Sequence, residues 1–215
     1  MTPAELLAAL ALPPQAAVGR RVPKALLLEH GAPTAADRRA VADGIEELTW
    51  AATLKPSTVG VPAFRDAGRE YLEVAVLSVT YRPKARAGRL RELVHRAIPY
   101  PVVLIGSDGV VSLAELRHAQ NAAGRTVLDG DLLAADPAAV AAELAFVRQP
   151  ATDLAVLYRG WCGVLAPLVR RAARLAEAAA LRKRAGREPQ LARRVALNRR
   201  IRELTADEPI PGTFP

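Results

Sequence analysis

The sequence predicts an α+β fold, or the related α/β class, for a body at residues 1–150, followed by a basic helical hairpin. A strand pattern at Tyr71–Tyr81 precedes an amphipathic helical pattern at Gly88–Ile98 and a strand hairpin from Val102 to Leu116. After Pro150 the pattern changes to long helical periodicity, and most of the net charge lies there. We expect a small mixed sheet of three to five strands with flanking helices.

The N-terminal region predicts two helices around an irregular basic segment. Thr2 can cap a helix at Thr2–Leu12, with a proline in its first turn. Val18–Lys24 contains Gly19 and Pro23 and is typical of a loop. Thr34 can cap a second helix, and three apolar residues at helical spacing would face one core from it: Val41, Ile45 and Leu48.

The middle of the chain predicts the sheet. Tyr71–Tyr81 is rich in β-branched and aromatic residues, which favour strands. Gly88–Ile98 matches an amphipathic helix, and the two prolines that follow it end the helix. The remaining predicted elements are a buried strand at Val102–Ile105, a turn at Ser107–Gly109, a returning strand at Val110–Leu116, a further strand at Arg125–Leu128 and a short helix from Asp136.

The region after Pro150 predicts two long helices. One apolar stripe advances by threes and fours through Leu154, Leu157, Trp161, Val164, Leu168, Leu175 and Ala179, as in a coiled coil. Gly160, Gly163 and Pro167 are poor helix formers, so we expect a kink or a late start. A break at Gly186–Pro189 precedes a last helix. The predicted divisions are a body at 1–150 that folds alone, a hairpin at 151–206, either self-packed or paired with another chain, and a flexible tail at 207–215.

The charge is concentrated near the C-terminal end. Residues 151–215 hold 13 Lys and Arg against 6 Asp and Glu, whereas residues 1–150 hold 17 against 16. Such a segment indicates a polyanion such as DNA, or an acidic protein face, as the partner; a solvated helical face is the alternative. The candidate nucleic-acid or partner-binding residues are Arg20, Arg21, Lys24, Arg170, Arg171, Arg174, Arg182, Lys183, Arg184, Arg193, Arg194, Arg199, Arg200 and Arg202.

Composition argues against a membrane or secreted protein. No apolar run is long enough to span a bilayer, and the first residues lack the basic start of a signal peptide. The single cysteine, Cys162, cannot form an internal disulfide, and we interpret it as a small core residue. These features favour the cytoplasm.

Few residues suggest catalysis. The nearest match to a metal-dependent nuclease is Asp108 with Glu115 and Arg117, but arginine replaces the lysine which that chemistry uses. His30, His95 and His118 lack metal-ligand spacing, and we expect His95 on the exposed side of its helix. The sequence has neither a Walker-type loop nor a Gly-x-Gly-x-x-Gly motif, so we expect no cofactor, no metal and no catalytic residue.

Six segments, in order along the chain, carry a family resemblance: Arg21–Lys24, Glu47–Pro56, Tyr71–Val76, Arg96–Ile105, Ser112–Gln120 and Leu197–Leu204. Together they resemble a bacterial protein family called domain of unknown function 4391. Members of this family are similar to the products of genes found beside helicase and DNA methyltransferase genes in restriction or phage-defence clusters. The resemblance implies an accessory role next to nucleic-acid machinery and offers no catalytic residues.

These observations predict a non-enzymatic accessory subunit of a bacterial anti-phage defence or restriction-modification system. Its body would dock a helicase or methyltransferase, and its basic hairpin would contact that partner, DNA, or both. Two alternatives remain open. One is a metal-dependent nuclease that uses Asp108 and Glu115, and the other is a structural homodimer built on the C-terminal helices.

Overall fold

The structure is a computed structural model that describes residues 1–118 and 126–206, and the chain divides into two units, Met1–Val164 and Leu165–Pro215. The first unit is an α+β body built on a mixed sheet, and the second carries C-terminal helices. The predicted α+β class is therefore confirmed. The predicted sheet of three to five strands is too small, because the described residues form a six-stranded sheet and a separate two-stranded one.

Eight strands and seven α-helices are assigned in the described residues. The strands are β1 (Ala17–Arg21), β2 (Ile45–Leu54), β3 (Phe64–Arg65), β4 (Glu70–Tyr71), β5 (Val74–Tyr81), β6 (Val102–Gly106), β7 (Val111–His118) and β8 (Thr126–Ala135). The helices are α1 (Pro3–Ala9), α2 (Lys24–His30), α3 (Ala35–Gly44), α4 (Pro56–Val59), α5 (Ala87–Ala97), α6 (Leu154–Ala185) and α7 (Leu191–Thr205). Short 3-10 turns lie at Pro14–Ala16, Ala138–Leu144 and Phe146–Arg148.

The main sheet has the strand order β1-β2-β5-β6-β7-β8. Only β5 and β6 are parallel, and helix α5 makes the crossover between them, as parallel neighbours require. All other neighbouring pairs in this sheet are antiparallel. The separate β3–β4 hairpin pairs Phe64 with Tyr71.

Both faces of the central strands are covered. On one face, α2, α3 and α5 pack over Leu77 and Val79 of β5 and Leu104 of β6. Since successive side chains alternate between faces, the equally buried Val76 and Val103 belong to the opposite face. This double coverage explains why the two parallel strands are almost continuously apolar.

Several local predictions are confirmed. Thr2 and Glu5 form a reciprocal capping box at the start of α1. At the start of α3, the Thr34 hydroxyl accepts a hydrogen bond from the Asp37 amide. The amphipathic pattern at Gly88–Ile98 corresponds to α5, and the turn after β6 has Gly109 at φ 77°. That backbone region favours glycine, which explains the tight turn.

Two sequence predictions near the N-terminus are wrong. The segment interpreted as a basic loop contains strand β1, which pairs with β2 around a bulge between Ala17 and Arg20. Ile45 and Leu48 were expected on the second helix, but they begin the ten-residue strand β2. Spacings of three and four residues suit a helix, yet Ile45 and Leu48 also satisfy a strand when a bulge intervenes, and β2 has one between Ile45 and Glu47.

Tyr158 of α6 joins two strands where they separate. Strands β6 and β7 pair at Leu104–Ser112 and Ile105–Val111, and extending that register by two residues places Val102 opposite Ala114. The Tyr158 hydroxyl lies between these two residues. The hydroxyl accepts a hydrogen bond from the Ala114 amide at 2.9 Å. It can donate one to the Val102 carbonyl at 2.9 Å or to the Ala114 carbonyl at 3.0 Å. A side chain of α6 thus substitutes for a missing ladder contact.

The first turns of α6 belong to the body. The Trp161 indole donates to the Leu144 carbonyl at 2.8 Å, and its side chain is buried. A Cβ on Gly160 would lie 2.6 Å from Gln149 Oε1 and 2.8 Å from Pro150 Cδ, so only glycine permits this close approach. The division between the units therefore falls after Val164, whereas the sequence suggested 150. The predicted flexible tail at 207–215 lies outside the described residues.

His95 is buried, contrary to the expectation of an exposed side chain. Its Nε2 lies 3.1 Å from the Ser112 hydroxyl of β7, and only 1% of the residue is exposed. Burial, together with the nearby positive charge of Arg91, lowers the pKa of His95 to about 3. Arg91, one turn earlier on the same helix, is also buried, and its guanidinium pairs with Asp108 in the β6–β7 turn.

We expect Tyr158→Phe to lower the free energy of unfolding by about 1–3 kcal/mol, because the buried Ala114 amide would lose its partner. Tyr71→Phe is the matched control. Tyr71 is equally buried, its ring centroid lies 5.9 Å from that of Tyr158, and its hydroxyl has no partner among the described residues. Urea unfolding should show a loss for Tyr158→Phe and little change or a gain for Tyr71→Phe. Equal effects would contradict the role of the Tyr158 hydroxyl.

Stability should fall as pH drops below 6.5, because the unfolded chain then binds a proton at His95 that the folded chain, with a pKa of about 3, does not. The contribution is fully present well above pH 6.5, and about 2 kcal/mol of it is lost by pH 5. The urea midpoint should depend less on pH in His95→Gln than in the parent protein. In His30→Gln the dependence should be unchanged, since His30 is exposed. If the first variant does not fold, NMR of the parent protein should show a neutral His95 ring at pH 5. A charged ring at that pH would contradict the prediction.

Candidate nucleic-acid interface

The second unit contains a helical hairpin. The C-terminal part of α6 packs against α7 through buried Ala178 and Ala185 on one helix and Ile201 and Leu204 on the other, with Leu181 and Leu197 beside them. Gly186 and Pro189 interrupt the helices, and the Gly186 amide donates to the Arg182 carbonyl at 3.0 Å. The predicted self-packed hairpin is present. Helix α6 nevertheless runs without a break through Pro167.

The contact between the two helices does not use the predicted stripe. Leu175 and Ala179 were expected in it, but Leu175 is 48% exposed and α7 packs on Ala178, Leu181 and Ala185 instead. Leu191 and Val195 of α7 are also exposed. The hairpin therefore has a small apolar seam, and further apolar side chains remain in contact with solvent.

Most candidate cations of the hairpin are exposed and lack a carboxylate partner among the described residues. They extend from α6 to α7 and share long, flexible arginine or lysine side chains. They are Arg170, Arg171, Arg182, Lys183, Arg184, Arg193, Arg194 and Arg202, and Arg187, which was not among the predicted residues, shares these properties. Unpaired surface cations at this density attract polyanions.

Two other candidates have carboxylate partners, and one of them joins the two helices. Arg200 bonds to Glu177 of the opposite helix at 3.3 Å and to Glu203 of its own helix at 3.4 Å, and Arg199 lies 3.9 Å from Glu203. Arg174 is half-buried on α6. Arg200 therefore has a structural contact that the charge pattern did not reveal.

The remaining predicted cations lie in the first unit. Arg20 and Arg21 are on β1, an exposed edge strand of the main sheet, and Lys24 begins α2. The Lys24 ammonium donates to the Ala42 carbonyl at 3.4 Å. Neither arginine has an ion-pair partner among the described residues, and a charged edge discourages pairing with another strand.

The nuclease-like residues are not brought together. Asp108 lies in the β6–β7 turn and pairs with Arg91, while Glu115 lies within β7 and contacts Arg69 at 3.1 Å and Arg159 at 3.4 Å. Arg117 lies 3.5 Å from Asp129 of β8. Both carboxylates are thus engaged by arginines, and Glu115 lies opposite Asp129 of β8 with Arg69 bonded to both. No group of three metal-ligating side chains occurs in residues 1–118 and 126–206.

A charged network that sequence reasoning missed surrounds Glu115. Arg69, from the loop between β3 and β4, joins Glu115 to Asp129, and Arg159 of α6 approaches Glu115 from another side. Burial raises the pKa of Tyr71 and of Cys162 to about 12, and in both cases the negative charge of Glu115 adds to the effect. The Cys162 thiol is therefore protonated at neutral pH and a poor nucleophile.

No helix in the described part of the chain is both long and apolar enough to cross a membrane.

Comparison with known proteins identifies a family for this chain. No curated protein and no solved structure matches the chain. The family model described as "Domain of unknown function (DUF4391)" matches residues 10–207, which is most of the chain. The protein therefore belongs to the DUF4391 family.

Proposed function

We propose that this protein is a non-enzymatic accessory subunit that binds the phosphate backbone of nucleic acid through the α6–α7 hairpin. The setting we propose is a bacterial anti-phage defence or restriction-modification system in the cytoplasm, where the body would dock a helicase or methyltransferase. The setting is inferred from the resemblance described above. The binding mode is inferred from the charges of the hairpin.

One observation carries the proposal: most exposed hairpin cations have no carboxylate partner among the described residues, and Arg199 and Arg200 are the exceptions. Several arginines of the body, Arg69, Arg89 and Arg91 among them, are instead matched by acidic side chains. A phosphate backbone releases condensed counterions when such cations bind it, which gives affinity without reading bases. Arginine also suits phosphate because its guanidinium can donate two parallel hydrogen bonds.

A second candidate function is docking of an acidic protein on the same hairpin. The observation that favours it is apolar exposure, since Leu175, Leu191 and Val195 lie in contact with solvent among the cations. An interface with a protein buries apolar groups at its centre, whereas backbone binding to nucleic acid does not need them. Leu175→Ser should weaken a protein complex and leave affinity for nucleic acid unchanged.

The binding prediction uses two neighbouring cations of α7. Arg193→Gln with Arg194→Gln should weaken binding to unrelated DNA duplexes alike, since both residues are exposed and unpaired. The slope of log K against log salt should become shallower by about two units or slightly less, because each phosphate contact contributes roughly 0.9. Fluorescence anisotropy with duplexes of different sequence, measured across a salt series, gives both quantities.

The matched control removes two exposed cations from the body, Arg39→Gln with Arg96→Gln, and therefore changes the net charge equally. This control should retain nearly all of the salt slope. Equal losses in both double variants would indicate a general charge effect and contradict a hairpin interface. Absence of DNA binding by the parent protein at low salt would reject the proposed function outright.

A further inference from the structure

The α6–α7 hairpin has two sides, and the Arg200–Glu177 ion pair marks one of them. Arg200 and Glu177 each directly precede a buried residue of the apolar seam, Ile201 on α7 and Ala178 on α6. Their side chains meet at 3.3 Å, so residues displaced in this sense from the seam lie on the same side of both helices. Glu203 contacts Arg200 from this side as well. We call this surface the ion-pair side.

The opposite surface, which we call the open side, carries one row of exposed side chains on each helix. Successive helical residues are rotated by about 100°, so these rows lie about 20–100° from Ala178 and Ile201, in the sense opposite to the ion pair. Helical spacing keeps the members of each row on one helix face. The rows are Arg171, Leu175 and Arg182 on α6, and Leu191, Arg194 and Arg202 on α7.

The open side is cationic and, within residues 165–206, has no acidic residue. This range contains three acidic residues. Glu177 and Glu203 belong to the ion-pair side. Glu188 lies between the helices, where its carboxylate accepts a hydrogen bond from the Gln190 amide at 3.0 Å. The four arginines of the open side have no carboxylate partner among the described residues, so a ligand of this surface must supply the negative charge.

Two leucines lie among these arginines. Leu175 is 48% exposed and Leu191 is 66% exposed. The seam beside them is small, because two of its four buried residues are alanines. Helical bundles build a larger core by packing further helices on such a pair. The leucines therefore offer apolar contacts that a phosphate backbone does not use and that a third helix would bury.

The separation of the two leucines suits a helix. Leu175 lies ten residues before α6 ends at Ala185, and Leu191 begins α7. At about 1.5 Å per residue, the leucines are roughly 15 Å apart along the hairpin, or about three helical turns. A helix laid in the groove between α6 and α7 would reach both leucines with one apolar stripe, and each of its flanks would face arginines. A second hairpin of the same chain does not fit, since it carries the same positive charge.

We propose that the open side of the hairpin binds an amphipathic helix of a partner protein, whose apolar stripe is flanked by acidic residues. This binding mode rests on the second candidate function, the docking of an acidic protein, and specifies the face used and the chemistry of the partner. The nucleic-acid function does not depend on it, because contacts with a phosphate backbone do not need the leucines.

The test uses the full-length protein and a synthetic peptide as long as α7, with leucines at helical spacing and glutamates on both flanks. A peptide of the same composition in shuffled order has the same charge without the apolar stripe and serves as reference. Fluorescence anisotropy should show that the amphipathic peptide binds at least about tenfold more tightly than the shuffled one, because only its stripe buries both leucines. Circular dichroism should show that the bound peptide gains helix.

A leucine variant separates helix docking from DNA binding. Leu175→Ser with Leu191→Ser should weaken peptide binding by about tenfold or more, since the buried apolar contacts are lost. Its affinity for a DNA duplex should be unchanged. If circular dichroism shows that this variant loses its helices, Leu175→Ser alone gives the same comparison.

Two arginine variants of α6 with equal charge locate the peptide on one side. Arg171→Gln with Arg182→Gln, on the open side, should weaken peptide binding by about fivefold. Arg170→Gln with Arg184→Gln removes two exposed cations from the ion-pair side and should change it less than about twofold.

Equal affinity for the two peptides would overturn the proposal, because charge alone would then be recognised. Equal losses in the two arginine variants would overturn it as well. Absence of peptide binding overturns it whether or not the protein binds DNA, and DNA binding in that case leaves the nucleic-acid function intact. Peptide binding without DNA binding would reject the nucleic-acid function and retain the helix site.

Discussion

The body depends on one hydroxyl group, that of Tyr158, inserted between strands β6 and β7. These strands pair directly at only two positions before they part, and the hydroxyl replaces the next contact with bonds to Ala114 and Val102. The bulge in β7 between Leu113 and Glu115 occurs at the same place. Since Tyr158 belongs to α6, this helix is needed to complete the sheet, and the body extends to Val164. Trp161 and Gly160 secure the same turns of α6 against the segment around Leu144 and Gln149.

The distribution of paired and unpaired charge separates structural from available groups. In the body, Asp37 holds Arg89 between α3 and α5, Asp108 holds Arg91, and Glu115 lies between Arg69 and Arg159. Such pairs engage the carboxylate oxygens with arginine donors and fix neighbouring elements to one another. The hairpin and the β5–α5 loop have cations without such partners among the described residues. The net charge of the chain is therefore concentrated where it can meet another molecule.

Sequence reasoning succeeded where the determining contacts are local. The capping box of α1, the helix α5 and the turn with Gly109 all depend on residues a few positions apart. It failed where the contact is distant in sequence. His95 was expected to be exposed because its partner, Ser112, follows 17 residues later in the chain. The basic hairpin was visible in the charge count, but the role of Arg200 was not, since Glu177 lies 23 residues away on the other helix.

The most direct test of this account compares thermal unfolding of two shortened chains, one ending at residue 164 and one at residue 150. The longer chain retains Tyr158 and Trp161, and we expect a single cooperative transition close to that of the body in the full-length protein. The shorter chain loses both residues and leaves the Ala114 amide and the Leu144 carbonyl without their partners. It should unfold at a much lower temperature or without a cooperative transition. Cooperative unfolding of the two chains at the same temperature would contradict the central role of Tyr158.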